Sequence, residues 1–263
     1  MKPFSVNLST IFTEVPFLER FKKAKEAGFK YVECQFPYDV PIRAIEAQLI
    51  ETGLTLVLIN LPPGNWEQGD RGMAIFSDRI PEFKESVQKG IEYARALGVE
   101  KIHCLAGVLT SDMNREQARQ VYLENLKYAA LEMAREQITL LIEPINHADM
   151  PWYFLHNIGE AAKVLDELEL SNLMLQFDFY HIQRLHGNLL VNFERFLDRI
   201  GHIQVADVPG RHEPGTGEIN YQNVISEVRR LGYRGYIGLE YTPIGKSEDS
   251  FGWVHRFEGV AKT

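Results

Sequence analysis

Four oxygen-bearing side chains end four consecutive apolar runs in the second half of the chain. They are Glu143 in ITLLIEP, Asp178 in LMLQFD, Gln204 in HIQVAD and Glu240 in YIGLEY. A single strand-end acid is ordinarily a helix cap or a surface group. Four in succession carry more weight, because the strands of a closed barrel would aim them at one axial spot. Like charges that close in a partly dry cavity repel strongly unless something neutralises them. A divalent cation is the economical neutraliser. Three carboxylates and an amide are all oxygen donors, which suits a hard ion, Mg²⁺ or Mn²⁺, better than Zn²⁺.

Further polar groups are candidates to surround that spot. His181 follows Asp178 by three residues, and Arg211 and His212 lie in the Gly-rich stretch VPGRHEPGTGEINY. A guanidinium can hold a substrate carboxylate by two parallel hydrogen bonds, which an ammonium does less well. In the first half Asn7, Glu33 and Asn60 end or nearly end apolar runs and could orient hydroxyls. Arg71, in GNWEQGDRG, is a second candidate anion binder. No GxSxG, HExxH or P-loop pattern occurs, so serine hydrolase, zinc protease and P-loop NTPase chemistry fall away.

The elements that must position these residues alternate regularly. Gly28, Gly53, Gly98 and Gly232 each close a helical pattern and precede an apolar run, as a left-handed residue after a helix would. Apolar stripes at helical spacing mark 14–27, 82–97, 116–135 and 158–168, and Thr13 reads as the N-cap of the first. Eight short runs (4–9, 31–36, 54–60, 101–107, 138–144, 173–178, 202–207 and 236–241) read as buried parallel strands. Eight strand–helix units in 263 residues fit a closed (β/α)₈ TIM barrel of class α/β better than an open doubly wound sheet. No Pro-, Gly- or Ser-rich linker interrupts the chain, so residues 1–263 read as one domain, with long connections at 61–80 and 206–221 over one barrel end. Barrel enzymes act at the C-terminal ends of their strands, where the four acceptors fall.

Composition narrows the function. Lys and Arg total 28 against 36 Asp and Glu, a net charge of −8. That balance disfavours a nucleic-acid partner, whose binding rests on neutralised phosphates. Cys34 and Cys104 sit in apolar runs without CxxC spacing and read as buried thiols of a reducing compartment. With no signal-peptide pattern and no apolar run long enough to span a bilayer, the expectation is a cytoplasmic protein with no membrane partner.

The segments NLSTIFTEVPFLERF, FPYDV, NLPPGNWEQGDRG, IEPINHADMP, QFDFYHIQR, QVADVPGRHEPGTGEINY and GLEY resemble the bacterial hydroxypyruvate isomerases, a family of xylose-isomerase-like barrels. The similarity runs from Asn7 to about Trp253. It implies interconversion of hydroxypyruvate and tartronate semialdehyde, with a small 2-oxo acid as the partner. It also implies catalytic roles for Glu143 and Glu240, and a metal held by Glu143, Asp178, Gln204 and Glu240. His181, Arg211, His212, Asn60 and Arg71 would then be the substrate-binding candidates. Related ketose 3-epimerases carry a His where Gln204 stands, which sets this chain apart from them, and Trp152 stands where the isomerases suggest a Gly. Four-carbon 2-oxo-tetronate isomerisation is the near alternative, followed by longer-ketose isomerisation or epimerisation. A DNA-repair endonuclease of the same fold is the alternative from another class; it would need several histidine zinc ligands and a basic groove. Homo-oligomerisation stays open.

Overall fold

The computed structural model describes residues 4–258. Strands and helices alternate along the chain as the apolar pattern requires. β1 (Phe4–Asn7) leads to α1 (Phe17–Glu26), β2 (Tyr31–Glu33) to α2 (Ile42–Thr52), and the pair β3 (Thr55–Leu56) and β4 (Ile59–Asn60) to α3 (Ile80–Leu97). β5 (Lys101–His103) is followed by α4 (Arg115–Ala134) and β6 (Thr139–Ile142) by α5 (Ile158–Leu168). After β7 (Leu173–Asp178) come α6 (Phe179–Leu185) and α7 (Leu189–Phe196), then β8 (Ile200–Val205), α8 (Tyr221–Arg230) and β9 (Ile237–Leu239).

All strand pairs are parallel, in the order β3-β2-β1-β9-β8-β7-β6-β5-β4. The sequence predicts eight strands; the structure has nine segments because the third run, 54–60, is interrupted. Its first part pairs with β2 at Tyr31–Thr55 and its last with β5 at Ile59–Ile102. Backbone bonds Val57 N–H to Val32 O (2.9 Å) and Asn60 N–H to Gln35 O (2.8 Å) continue between them, and Leu61 N–H reaches His103 O (2.8 Å). One run thus touches both neighbours and closes the ring, as the barrel reading requires.

The predicted glycines behave as helix terminators: Gly28, Gly53, Gly98 and Gly232 all have positive φ. The helix predicted at 14–27 starts later, at Phe17. Pro16, at φ −54°, sits at its N-cap without a side-chain cap bond, and Thr13 lies in the turn before it rather than capping it. A proline's fixed φ suits a helix start, so it sets the boundary that Thr13 was expected to set. On the site side, side chains do cap: Asn114, Asn157, Asp178 and Asn220 each accept a backbone N–H in the first turn of α4, α5, α6 and α8.

The main apolar core lies between barrel and helices. Phe177 on β7 belongs to it, with its ring 5.0 Å from that of Phe179 and 5.5 Å from that of Phe193. Inside the barrel a separate small cluster of Val57, Leu58 and Leu141, with Tyr31, Met174 and Tyr236 against it, fills the N-terminal half. Above that plug the inward-facing positions are polar: Ser5 and Asn7 on β1, Glu33 on β2, His103 on β5, Gln176 and Asp178 on β7, His202 and Gln204 on β8, all buried. No helix among the described residues is long and apolar enough to cross a membrane.

Truncating Phe177 to Ala removes a fully buried ring behind the strand that carries Asp178. We expect a loss of about 3–5 kcal/mol in urea unfolding, against a much smaller loss for Phe177→Leu.

Candidate active site

The four strand-end acceptors do converge at the C-terminal mouth. Glu143 follows the last residue of β6 and precedes Pro144, while Asp178 ends β7. Gln204 lies opposite Asp178 in the β7–β8 register, and Glu240 directly follows β9. All four are buried.

Each carboxylate has a distinct set of partners. Asp178 accepts the Tyr180 backbone N–H through Oδ1 (2.9 Å), the ordinary capping role, while its Oδ2 has no hydrogen-bond partner. Glu143 accepts from Gln176 Nε2 through Oε2 (3.1 Å), and its Oε1 is likewise unpartnered. Glu240 accepts from Asn7 Nδ2 (2.9 Å), Gln35 Nε2 (3.0 Å) and Arg211 Nη2 (2.7 Å). The Arg211 guanidinium also lies 3.6 Å from Asp178 Oδ2.

Arg211 reaches this position from a loop tied by one buried acid. Asp207 Oδ1 accepts from the backbone N–H groups of Val208 and Ile219 (3.0 Å each), and Oδ2 from that of Gly215 (2.8 Å). Its own N–H donates to His212 O (2.8 Å), and its carbonyl accepts from Arg211 N–H (2.9 Å). Within that clasp Arg211 takes a left-handed φ of 54°, an uncommon conformation for a residue with a Cβ.

The electrostatics follow from burial and crowding. Burial first, then the charges of Asp178 and Glu240, push Glu143 well above the usual carboxylate range. Burial raises Asp178 to about 7, with Arg211 opposing and Glu240 adding to the rise. Glu240 is raised by burial and by Glu33, against the pull of Arg211. Burial also keeps His181 well below its ordinary value and His103 down at about 3, so both imidazoles are neutral. Glu33 is the exception: burial favours its proton, but His202, Gln204 and Ser5 outweigh it and the carboxylate is held below its ordinary value.

Two unpartnered buried carboxylate oxygens facing one crowded volume are what a cation site requires. One ligand atom each from Glu143, Asp178 and His181 lies within 4.8 Å of the others, and this buried group could hold a divalent metal ion. Glu143 and Asp178 enter that group with free carboxylate oxygens, and His181 with a ring nitrogen. Its Nδ1 accepts from Asn146 Nδ2 (2.7 Å), whose own amide oxygen takes the Ala148 and Asp149 N–H groups, so the ring proton is on Nε2. That Nε2–H lies 3.6 Å from Asp178 Oδ2.

The other predicted residues divide. Asn7 and Glu33 join the cluster, Asn7 by bridging the two glutamates Glu240 and Glu33. Asn60 is buried at the barrel rim, paired in register with His103. Arg71 and His212 are not brought to the carboxylates. Arg71 stacks over Trp66 at 3.8 Å and donates to Trp66 O and Asp70 O of its own loop. His212 Nδ1 donates to Thr242 O (2.7 Å). Trp152 has φ 63° and is 71% exposed. Sequence reasoning missed Gln35, His103, Gln176 and His202. For two of these the signal was available: Gln176 and His202 stand two residues before Asp178 and Gln204, and a two-residue step on a strand returns to the same face.

The family model of the xylose isomerase-like TIM barrel matches residues 21–257. The chain is 44% identical over 254 residues to the hydroxypyruvate isomerase of Escherichia coli K12, covering 97% of this chain and 98% of that one. It is 40% identical over 259 residues to the 2-oxo-tetronate isomerase of Cupriavidus necator, covering 98% and 100%. A crystal structure from Brucella melitensis described as an AP endonuclease, family 2, superposes with a TM-score of 0.95 at 42% identity, covering 98% and 99%.

Raised carboxylate pKa values make stability pH-dependent in a definite direction. Asp178 keeps in the folded chain, to about pH 7, a proton that the unfolded chain releases near its ordinary value of 3.8. The native state therefore binds more protons across that window, and stability present below about pH 4 is lost as pH rises towards 7. In chelator, the thermal midpoint contributed by this cluster should fall between pH 5 and 7.5. Saturating Mn²⁺ should reverse the fall, and the Asp178→Asn variant should flatten it.

Proposed function

Because the chain belongs to the xylose isomerase-like TIM barrel family, we propose that it is a cytoplasmic isomerase interconverting hydroxypyruvate and tartronate semialdehyde through an enediolate. The observation that carries this reading is the pair of glutamates, Glu143 and Glu240, buried beside Asp178 and Arg211 at the strand ends, together with near-full-length likeness to hydroxypyruvate and 2-oxo-tetronate isomerases.

One glutamate takes a proton from the hydroxyl-bearing carbon, and the electron pair of that C–H bond becomes the carbon–carbon double bond of the enediolate. A proton then returns to the neighbouring carbon, while the proton of the original hydroxyl passes to the former carbonyl oxygen, so that the hydroxyl oxygen becomes the aldehyde and the carbonyl oxygen the new hydroxyl. A positioned acid–base pair of this kind typically contributes about 10²- to 10⁴-fold. Burial raises both Glu143 and Glu240 above the ordinary carboxylate range, which suits groups that must hold a proton as well as release one. Glu143, Asp178, Gln204 and Glu240 would hold a divalent cation, Mg²⁺ or Mn²⁺, which would supply electrostatic stabilisation of the enediolate charge. Arg211 binds the substrate carboxylate, and the Nε2–H of His181 donates to a substrate oxygen. Asn60 stands at the rim of the same mouth.

Likeness to 2-oxo-tetronate isomerases supports a second reading with the same chemistry on a four-carbon acid. Phosphodiester cleavage has the description of the Brucella melitensis structure in its favour, but the metal-capable group found among the described residues contains a single histidine, and the net charge is −8.

The test is turnover of hydroxypyruvate and 2-oxo-tetronate at equal concentration, in chelator and after adding back Mg²⁺ or Mn²⁺. Metal-dependent formation of tartronate semialdehyde, faster than turnover of the four-carbon acid, is expected. Glu240→Gln and Glu143→Gln should each lower kcat by about 10²-fold or more; full turnover in Glu240→Gln with metal bound would overturn the scheme. Arg211→Lys should act mainly on KM, because it keeps the charge and loses the two-pronged geometry.

A further inference from the structure

Below the reacting groups lies a buried acid that the proposed reaction does not use. Glu33, fully inaccessible on β2, accepts Ser5 Oγ–H (2.7 Å) and His202 Nε2–H (3.0 Å) through Oε2. Its Oε1 accepts from Gln204 Nε2 (2.8 Å) and Asn7 Nδ2 (3.4 Å). Room for the carboxylate is made two strands away by Gly238 of β9, where a Cβ would stand 2.5 Å from Oε1 and 2.6 Å from Oε2. No real Cβ contact is that short, so a side chain there would displace Glu33.

The contacts above Glu33 have a direction. Because Gln204 turns its nitrogen to Glu33, its Oε1 must face Gln176, and it accepts from Gln176 Nε2 at 2.7 Å. Gln176 must then aim that nitrogen inwards, where it also donates to Glu143 Oε2 (3.1 Å) and leaves its own oxygen without a partner. On the other side Asn7 shares its amide nitrogen between Glu33 and Glu240, while its oxygen accepts Ser9 N–H (2.9 Å). Were Gln204 reversed, two amide nitrogens would meet, and reversing Gln176 in response would set its oxygen against the Glu143 carboxylate. A stranded Gln176 oxygen is the sign that the orientation is imposed rather than chosen locally.

We propose that Glu33 is a positioning residue for the isomerase reaction, fixing the polarity of the Gln204–Gln176 amide relay and of Asn7 and thereby the orientation of Glu143 and Glu240. It acts through these amides and touches no reacting atom. The proposal rests on the functional reading above for its kinetic part, but not for its metal-binding part, because Gln204 is also a proposed ligand.

The experiment pairs Glu33→Gln, which replaces one acceptor oxygen by a donor, with Ser5→Ala, which removes one of four donors and leaves the other three, His202, Gln204 and Asn7, in place. Both are assayed well below their thermal midpoints, and Mn²⁺ binding is measured by calorimetry on each. Glu33→Gln should lose about 10- to 100-fold in both kcat and Mn²⁺ affinity, as outer partners of metal ligands do, with KM within about twofold of the parent. Ser5→Ala should move the same two quantities in the same direction by a few-fold. A purely structural Glu33 would lower the thermal midpoint alone; kcat and Mn²⁺ affinity within twofold of the parent in a folded Glu33→Gln overturn the proposal. Should Glu33→Gln not fold, unchanged values in Ser5→Ala overturn it. If the parent itself turns over no oxo acid, the functional reading fails, and the Mn²⁺ titrations still decide the role of Glu33.

Discussion

Coulomb repulsion among Glu143, Asp178 and Glu240, gathered in a buried space where water screens little, sets the conditions for the residues around them. Arg211 answers it directly with a charge between two of the three. Asn7, Gln35 and Gln176 answer it with amide hydrogens, which stabilise negative charge without adding a net charge of their own. His103 and His181 are kept neutral by the same burial, so they neither add to the cation count nor compete as charged partners.

The loop that carries Arg211 shows how a strained backbone is held for that purpose. A left-handed arginine would relax if its loop were free. Asp207 prevents this by gathering three backbone N–H groups onto one carboxylate, so the loop's polarity is satisfied only in the conformation that turns Arg211 inwards. The strain at one residue is balanced by hydrogen bonds at its neighbours.

Much of the barrel was legible because local rules and the global fold agree. Gly98 and Gly232 mark helix ends by backbone conformation alone, and the strand-end acids were visible because the runs before them are apolar. The late start of α1 was not, because Pro16 and Thr13 are both plausible starts and only packing decides between them. The broken third strand was invisible for a similar reason: between Thr55 and Asn60 LTLVLIN is wholly apolar, and nothing in it says where pairing passes from β2 to β5. Arg71 and His212 illustrate a different limit. Their types suit anion binding, and the contacts that hold them, with Trp66 and Thr242, depend on rotamer and loop conformation that residue type does not display. The polar inner layer lay half in view, since Gln176 and His202 share a face with residues already singled out, whereas the meeting of Glu33 with His202 joins positions far apart in sequence.

The division of labour within Asp178 has a consequence for cation binding. With Oδ1 committed to the first turn of α6, the side chain is frozen before any cation arrives, and no rotameric entropy need be surrendered on binding. The same commitment leaves it one oxygen to give. Ca²⁺ accepts carboxylates with one oxygen or with both, whereas Mg²⁺ demands a small, regular octahedron. A helix cap, an element of folding, would thus hold Asp178 to a single contact with any cation bound beside it.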